Sequence, residues 1–160
     1  MHKFIFTFLF ASIAWHTSAE SLEYKFEDWS GSFLPTYVAK PNKINAKTRL
    51  VVVMHGRKRN AEEYRDQWVK ASQELNLLVI VPEFSEKNFP EVWGFNYGNI
   101  KTKNLEPIQE DLHAFMAIEP LANHALKKFK IKSKNWGIYG HGAGAHFVHR
   151  FVLHHPEASY

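Results

Sequence analysis

The sequence predicts an α/β fold, with a mostly parallel sheet and helices on both faces. Three observations carry this. Leu50-Val51-Val52-Val53-Met54 is a short continuous apolar run, as a strand buried on both faces requires. Leu77 to Val81 is a second such run, and a helical pattern separates the two. Near the other end, Trp136-Gly137-Ile138-Tyr139 leads into glycines spaced by two, and an apolar helical pattern from Phe147 to Leu153 follows.

The elements follow in order. Met1-His2-Lys3 is a short basic start, Phe4 to Trp15 is apolar, and Thr17-Ser18-Ala19 ends on a small residue before Glu20. This is the pattern of a secretory signal peptide over residues 1–19, with an apolar run too short for a membrane span. A secreted or periplasmic location follows, with no stable membrane anchor after cleavage. Leu22 to Trp29 and Pro35 to Ala39 read as opening antiparallel strands, and Pro41-Asn42-Lys43 as a turn. Asn60 reads as an N-cap with Glu63 as its capping-box partner. Tyr64, Trp68, Ala71 and Leu75 then form an apolar stripe at helical spacing facing the sheet. Pro82 stops the strand from Leu77. Phe84 to Ile100 is a long loop with Phe89, Trp93, Phe95 and Tyr97. It has two readings: a wall of a hydrophobic cleft, or satellite packing over the sheet edge. A helical segment spans about Pro107 to Lys128, with Pro120 kinking or splitting it.

The glycine-spaced turn carries the chemistry. Gly140-His141-Gly142-Ala143-Gly144 is one residue from G-H-S-A-G, a nucleophile elbow, where a serine sits on a sharp strand-to-helix turn. Small residues must stand two positions either side, and Gly140 and Gly144 meet that demand. Gly142 occupies the nucleophile position without a side chain. A dinucleotide-binding turn fits poorly: the last glycine has the wrong spacing and no acidic residue follows at the right distance. A plain glycine-rich turn is the remaining alternative. His55-Gly56-Arg57 directly follows the first buried strand, about 85 residues before the elbow, where an oxyanion-hole loop belongs. Gly56 lets the chain turn so that the backbone N–H of Arg57 faces the site. The other donor is the N–H of Ala143, next to the nucleophile position. His55, Gly56, Gly140, His141 and Gly144 are expected to shape the loop and elbow.

His55 to Trp68, Val81 to Ser85, Ala117 to Leu121 and Gly140 to Phe151 resemble secreted or periplasmic α/β-hydrolases of the poly(3-hydroxybutyrate) depolymerase-like and esterase-like group. The resemblance covers about Arg49 to Glu157. It implies hydrolysis of carboxylic esters, small or polymeric, by a serine. Here that serine maps onto Gly142, so the chain departs from the pattern at the reacting atom. The triad order of such enzymes is Ser, then Asp or Glu, then His. After Gly142 the sole carboxylate is Glu157, and the histidines are His146, His149, His154 and His155, on or at the end of the first helix after the elbow. A single domain of this type often needs about 200–250 residues. Residues 20–160 are therefore expected to be the N-terminal portion of an α/β-hydrolase domain, catalytically dead in this form. The alternative is a non-catalytic secreted binding protein that keeps the cleft.

Composition narrows the rest. There are no cysteines, which removes disulfides, thiol nucleophiles and zinc–thiolate sites. The net charge of +4 is too small and too scattered for nucleic-acid binding. Arg57-Lys58-Arg59 and Lys127-Lys128-Phe129-Lys130 are the two basic clusters, read as a solvated loop and a solvated helix end. His146 and His149 could share a helix face, but no H-E-x-x-H or nearby carboxylate completes a ligand set. No metal and no cofactor are expected.

Overall fold

The computed structural model describes residues 22–158 and residue 160. The signal peptide expected over residues 1–19 lies outside them. Five strands form one mixed sheet: β1 (Leu22–Phe26), β2 (Leu34–Ala39), β3 (Arg49–Met54), β4 (Leu77–Pro82) and β5 (Trp136–Gly140), in the order β1-β2-β4-β3-β5. The antiparallel part is the opening hairpin β1–β2 and its pairing to β4. The parallel part is β4–β3–β5, where a helical crossover must carry the chain back between strands. Among the described residues four α-helices accompany the sheet: α1 (Ala61–Leu75), the single turn α2 (Glu91–Gly94), α3 (Ile118–Lys128) and α4 (Ala143–His154).

Alternation along the buried strands divides the core between two faces. Leu50, Val52 and Met54 of β3, with Leu78 and Ile80 of β4, join the larger cluster, which includes Leu121, Ala122, Phe147 and Phe151 from α3 and α4. Val53, Val79 and Val81 point the other way and meet Ala61, Tyr64 and Trp68 of α1. An apolar run without polar alternation is thus explained by helices on both faces.

Three local expectations need correction. Tyr64 and Trp68 of the predicted α1 stripe pack on the sheet, but Leu75 is exposed and the fully buried positions are Ala61, Arg65 and Ser72. Arg65 can take an inward position because its guanidinium is held by Glu62 and Asp66 and lies 5.9 Å from the Tyr37 ring. A long aliphatic stem with a satisfied head covers apolar surface as a leucine would. The capping box is absent: Asn60 makes no capping bond, and its side-chain amide donates to the Glu63 carboxylate instead. The segment from Pro107 is not one kinked helix. It forms 3-10 turns at Glu110–Leu112 and Ala114–Ala117 before α3 begins at Ile118. Pro120 falls in the first turn of α3, where its missing N–H costs nothing.

The long aromatic loop resolves the two readings unevenly. Phe84, Phe89 and Phe95 are buried, with Trp93 and Tyr97 half-buried. Phe147 of α4 is the hub: its ring lies 5.5 Å from Phe84, 5.3 Å from Phe95 and 4.9 Å from Phe115. The loop therefore supplies core, and packs α4 against the end of β4. Phe147→Ala is expected to lower stability by about 3–5 kcal/mol, measured by urea unfolding, because three rings lose one neighbour to a cavity that neither strand nor helix can close.

Candidate active site

The elbow forms where β5 ends and α4 begins. Gly142 has φ 57° and ψ −118°. This backbone conformation strains any residue with a β-carbon. The flanking glycines are required by contact rather than by angle. A methyl group at Gly140 would lie 2.3 Å from the carbonyl oxygen of Gly144. One at Gly144 would lie 2.2 Å from the Met54 oxygen and 2.6 Å from the His55 oxygen. The start of α4 therefore rests backbone-to-backbone on the end of β3. Gly142 is the opposite case: a β-carbon there would meet nothing within 4 Å. The position is open to a side chain that the sequence does not provide.

The loop after β3 comes to the same place. A methyl at Gly56 would stand 2.7 Å from the Tyr64 hydroxyl and 3.9 Å from the His141 carbonyl oxygen. The same Tyr64 hydroxyl is 3.3 Å from Nδ1 of the exposed His141, so α1, the loop and the elbow meet at one point. Arg57 is exposed and Ala143 is buried at the head of its helix. Among the described residues neither backbone N–H is drawn into a turn or capping bond with another carbonyl. Such pairs of unclaimed donors can meet developing negative charge on a carbonyl oxygen.

His55 shapes the loop in a specific way. Its ring is fully buried, 4.5 Å from the Phe95 ring. Phe84 N–H donates to Nε2 at 3.0 Å, so Nε2 carries no proton, and Nδ1–H donates to the Gly56 carbonyl at 3.0 Å. Burial, assisted by the charge of nearby Arg59, pushes the imidazole down to about 4 against the opposing effect of the Gly56 hydrogen bond. His55 is a neutral two-way brace, not a base.

Arg59 overturns the reading of Arg57-Lys58-Arg59 as a wholly solvated cluster. Its guanidinium donates to the carbonyls of Phe84 (2.8 Å), Phe89 (2.9 Å) and Glu91 (2.8 Å), pairs with Glu86 at 3.1 Å, and lies 4.5 Å over the Phe95 ring. Arg57 and Lys58 are exposed, as a solvated loop requires. Nothing in a run of three basic residues marks the third as the inward one. The turn that aims it, with Arg59 at φ 59° and its N–H on the Gly56 oxygen at 3.1 Å, depends on the loop geometry.

The histidines after the elbow do not gather at it. His146 and His149 are exposed on α4, and His154 lies about 16 Å along the helix from Ala143. His155 pairs with Glu157 at 3.4 Å and stacks on Phe151, at that same far end. A further histidine–carboxylate pair among the described residues, His124–Asp28 at 2.8 Å, joins α3 to the segment after β1. Among the described residues no group of three metal-ligating side chains exists, and no helix is long and apolar enough to cross a membrane.

A strand, a glycine-flanked turn at positive φ, a helix seated on the neighbouring parallel strand and a facing H-G loop form a sharp strand–turn–helix junction of an α/β fold. Comparison with solved structures agrees. Poly(aspartic acid) hydrolase-1 from Sphingomonas sp. KT-1 superposes with a TM-score of 0.83 at 36% identity, over 88% of this chain and 53% of that one. The poly(3-hydroxybutyrate) depolymerase from Bordetella parapertussis gives 0.74 at 25% identity, over 84% and 47%. A thermostable esterase shares the fold at 0.58 and 18% identity, over 86% and 38%. This chain belongs to the α/β-hydrolase superfamily. It spans about half the length of the first two structures. No protein-family profile and no curated protein sequence matches it.

Two predictions follow from the geometry. Gly144→Ala forces apart backbone that cannot yield and is expected to cost several kcal/mol, whereas Gly142→Ala meets open space and should cost only the strain of its dihedral angles, about 1–3 kcal/mol. Chemical denaturation of the two variants, side by side, checks the order. The second concerns pH. Between about 6.5 and 4 the unfolded chain binds a proton at His55 that the folded chain refuses, so this residue makes stability fall as pH falls through that window and level off below it. The stability advantage of the parent chain over His55→Gln is expected to shrink by about 3 kcal/mol from pH 7 to pH 4, read from urea unfolding at stepped pH.

Proposed function

We propose that this chain carries the elbow and oxyanion-hole part of a serine-hydrolase site acting on carboxylic esters, with the nucleophile absent at Gly142. One observation carries the reading: Gly142 holds the backbone angles of an elbow while its β-position is open. In a site of this kind serine attacks the ester carbonyl. The oxygen, becoming an anion, is met by the N–H groups of Arg57 and Ala143, and water then releases the acyl group. With glycine in place no oxygen is available to attack, and no imidazole–carboxylate pair among the described residues stands at the elbow to take its proton. With glycine at position 142 the chain is therefore catalytically silent.

A polymeric substrate is the extension that the similar structures support. Both are hydrolases of polymers, poly(aspartic acid) in one case and poly(3-hydroxybutyrate) in the other. An exported hydrolase would meet polymers outside the cytoplasm, in keeping with the signal-peptide pattern of residues 1–19 and a secreted or periplasmic location. A second reading, a non-catalytic binding protein that keeps the cleft, draws on the same open position at Gly142.

The test uses short p-nitrophenyl esters and a fluorophosphonate probe. The parent chain is expected to give no turnover above a blank and no adduct. Gly142→Ser alone is expected to fall far short of normal turnover, for want of a base. Gly142→Ser joined after Tyr160 to the complementary half of the poly(aspartic acid) hydrolase should turn over and label once, while the same fusion with Gly142 stays silent. Phosphonate-sensitive turnover by the Gly142 parent would overturn the reading. A silent serine fusion that still binds polymer would favour the binding protein.

A further inference from the structure

We propose that His55 and Arg59 are positioning residues that fix the backbone N–H of Arg57 by gripping the two peptide groups of a single residue, Phe84. This rests on the reading of Arg57 as an oxyanion donor and extends it. The two side chains bracket Arg57 in sequence, two positions before and two after. His55 Nε2 accepts the N–H of Phe84 at 3.0 Å, and Arg59 donates to the C=O of the same residue at 2.8 Å. Both also meet the Phe95 ring, each at 4.5 Å from its centroid. Arg59 continues to the carbonyls of Phe89 and Glu91, so the middle of the aromatic loop is held by the same cation.

The consequence is mechanical. A loop of two or three exposed residues after a strand has few contacts of its own and ordinarily moves. Here Arg57 and Lys58 are exposed, yet buried His55 and half-buried Arg59 on either side are bonded to a neighbouring segment. That segment is in turn packed on Phe147 of α4, five residues past Gly142. The two expected donors, Arg57 N–H and Ala143 N–H, therefore hang from one rigid body rather than two. A donor aimed in advance at a developing oxyanion is effective because it need not reorganise during the reaction.

Hydrogen–deuterium exchange of the full chain tests the grip without any need of turnover, so its failure is separate from failure of the hydrolase reading. His55→Leu and Arg59→Met are expected to speed exchange at the Phe84 amide at least tenfold and to loosen the peptide containing Arg57, with the Val52 amide of β3 unchanged. His55→Gln keeps an acceptor for Phe84 N–H and should restore much of the protection; Arg59→Lys, with one nitrogen for three carbonyls, should not. If the leucine and methionine variants fail to fold, the glutamine and lysine variants decide the matter by that contrast. Unchanged exchange at Phe84, or equal acceleration at Val52, overturns the grip. In the active serine fusion, Arg59→Met is expected to lower kcat about tenfold or more with KM little changed. Faster exchange at Phe84 with kcat intact would show a brace that aims no donor, and would overturn the positioning role.

Discussion

The close seating of α4 on the end of β3 is the constraint on which the site depends. Gly144 lies against the carbonyls of Met54 and His55 with no room for a methyl group, and Gly140 lies as closely against Gly144. Backbone contact of this kind holds the turn against the loop with no side chain between them. It also sets the sharpness of the turn between them, and so the positive φ of Gly142. The glycine pattern is a steric record of that approach.

Behind the site lies a second principle, the satisfaction of buried polar groups. An imidazole and a guanidinium have been brought into an aromatic core, and each such transfer is costly unless hydrogen bonds replace the lost water. His55 spends both ring nitrogens on backbone groups, and Arg59 finds three carbonyls and a carboxylate. The carbonyls belong to a loop that lacks regular partners for them. Side chains from one loop thus stand in for the strand that the other loop does not have, and an irregular segment rich in phenylalanine becomes core.

Some of this was legible in the residues. Continuous apolar runs marked β3 and β4, because strands covered on both sides cannot alternate. The G-x-G-x-G spacing marked the sharp strand-to-helix turn, because each glycine answers a separate steric or dihedral demand. Other features were not legible. The inward face of α1 depends on Arg65 finding Glu62, Asp66 and the Tyr37 ring, and a hydrophobicity pattern scores arginine as outward. Asn60 and Glu63 have the spacing of a capping box, yet they bond to each other side chain to side chain. The stretch from Pro107 to Ala117 has helical composition but coils in 3-10 turns before α3.

By itself the sequence determined the layer architecture and the place of the glycine-flanked strand-to-helix turn, since these follow from periodicity and glycine spacing. The tertiary structure decided which of three consecutive basic residues turns inward and what the histidine beside Gly56 does. The reason is physical. A buried polar side chain is defined by the partners that replace its water, and those partners, Phe84, Phe89 and Glu91, stand 25, 30 and 32 positions from Arg59 along the chain.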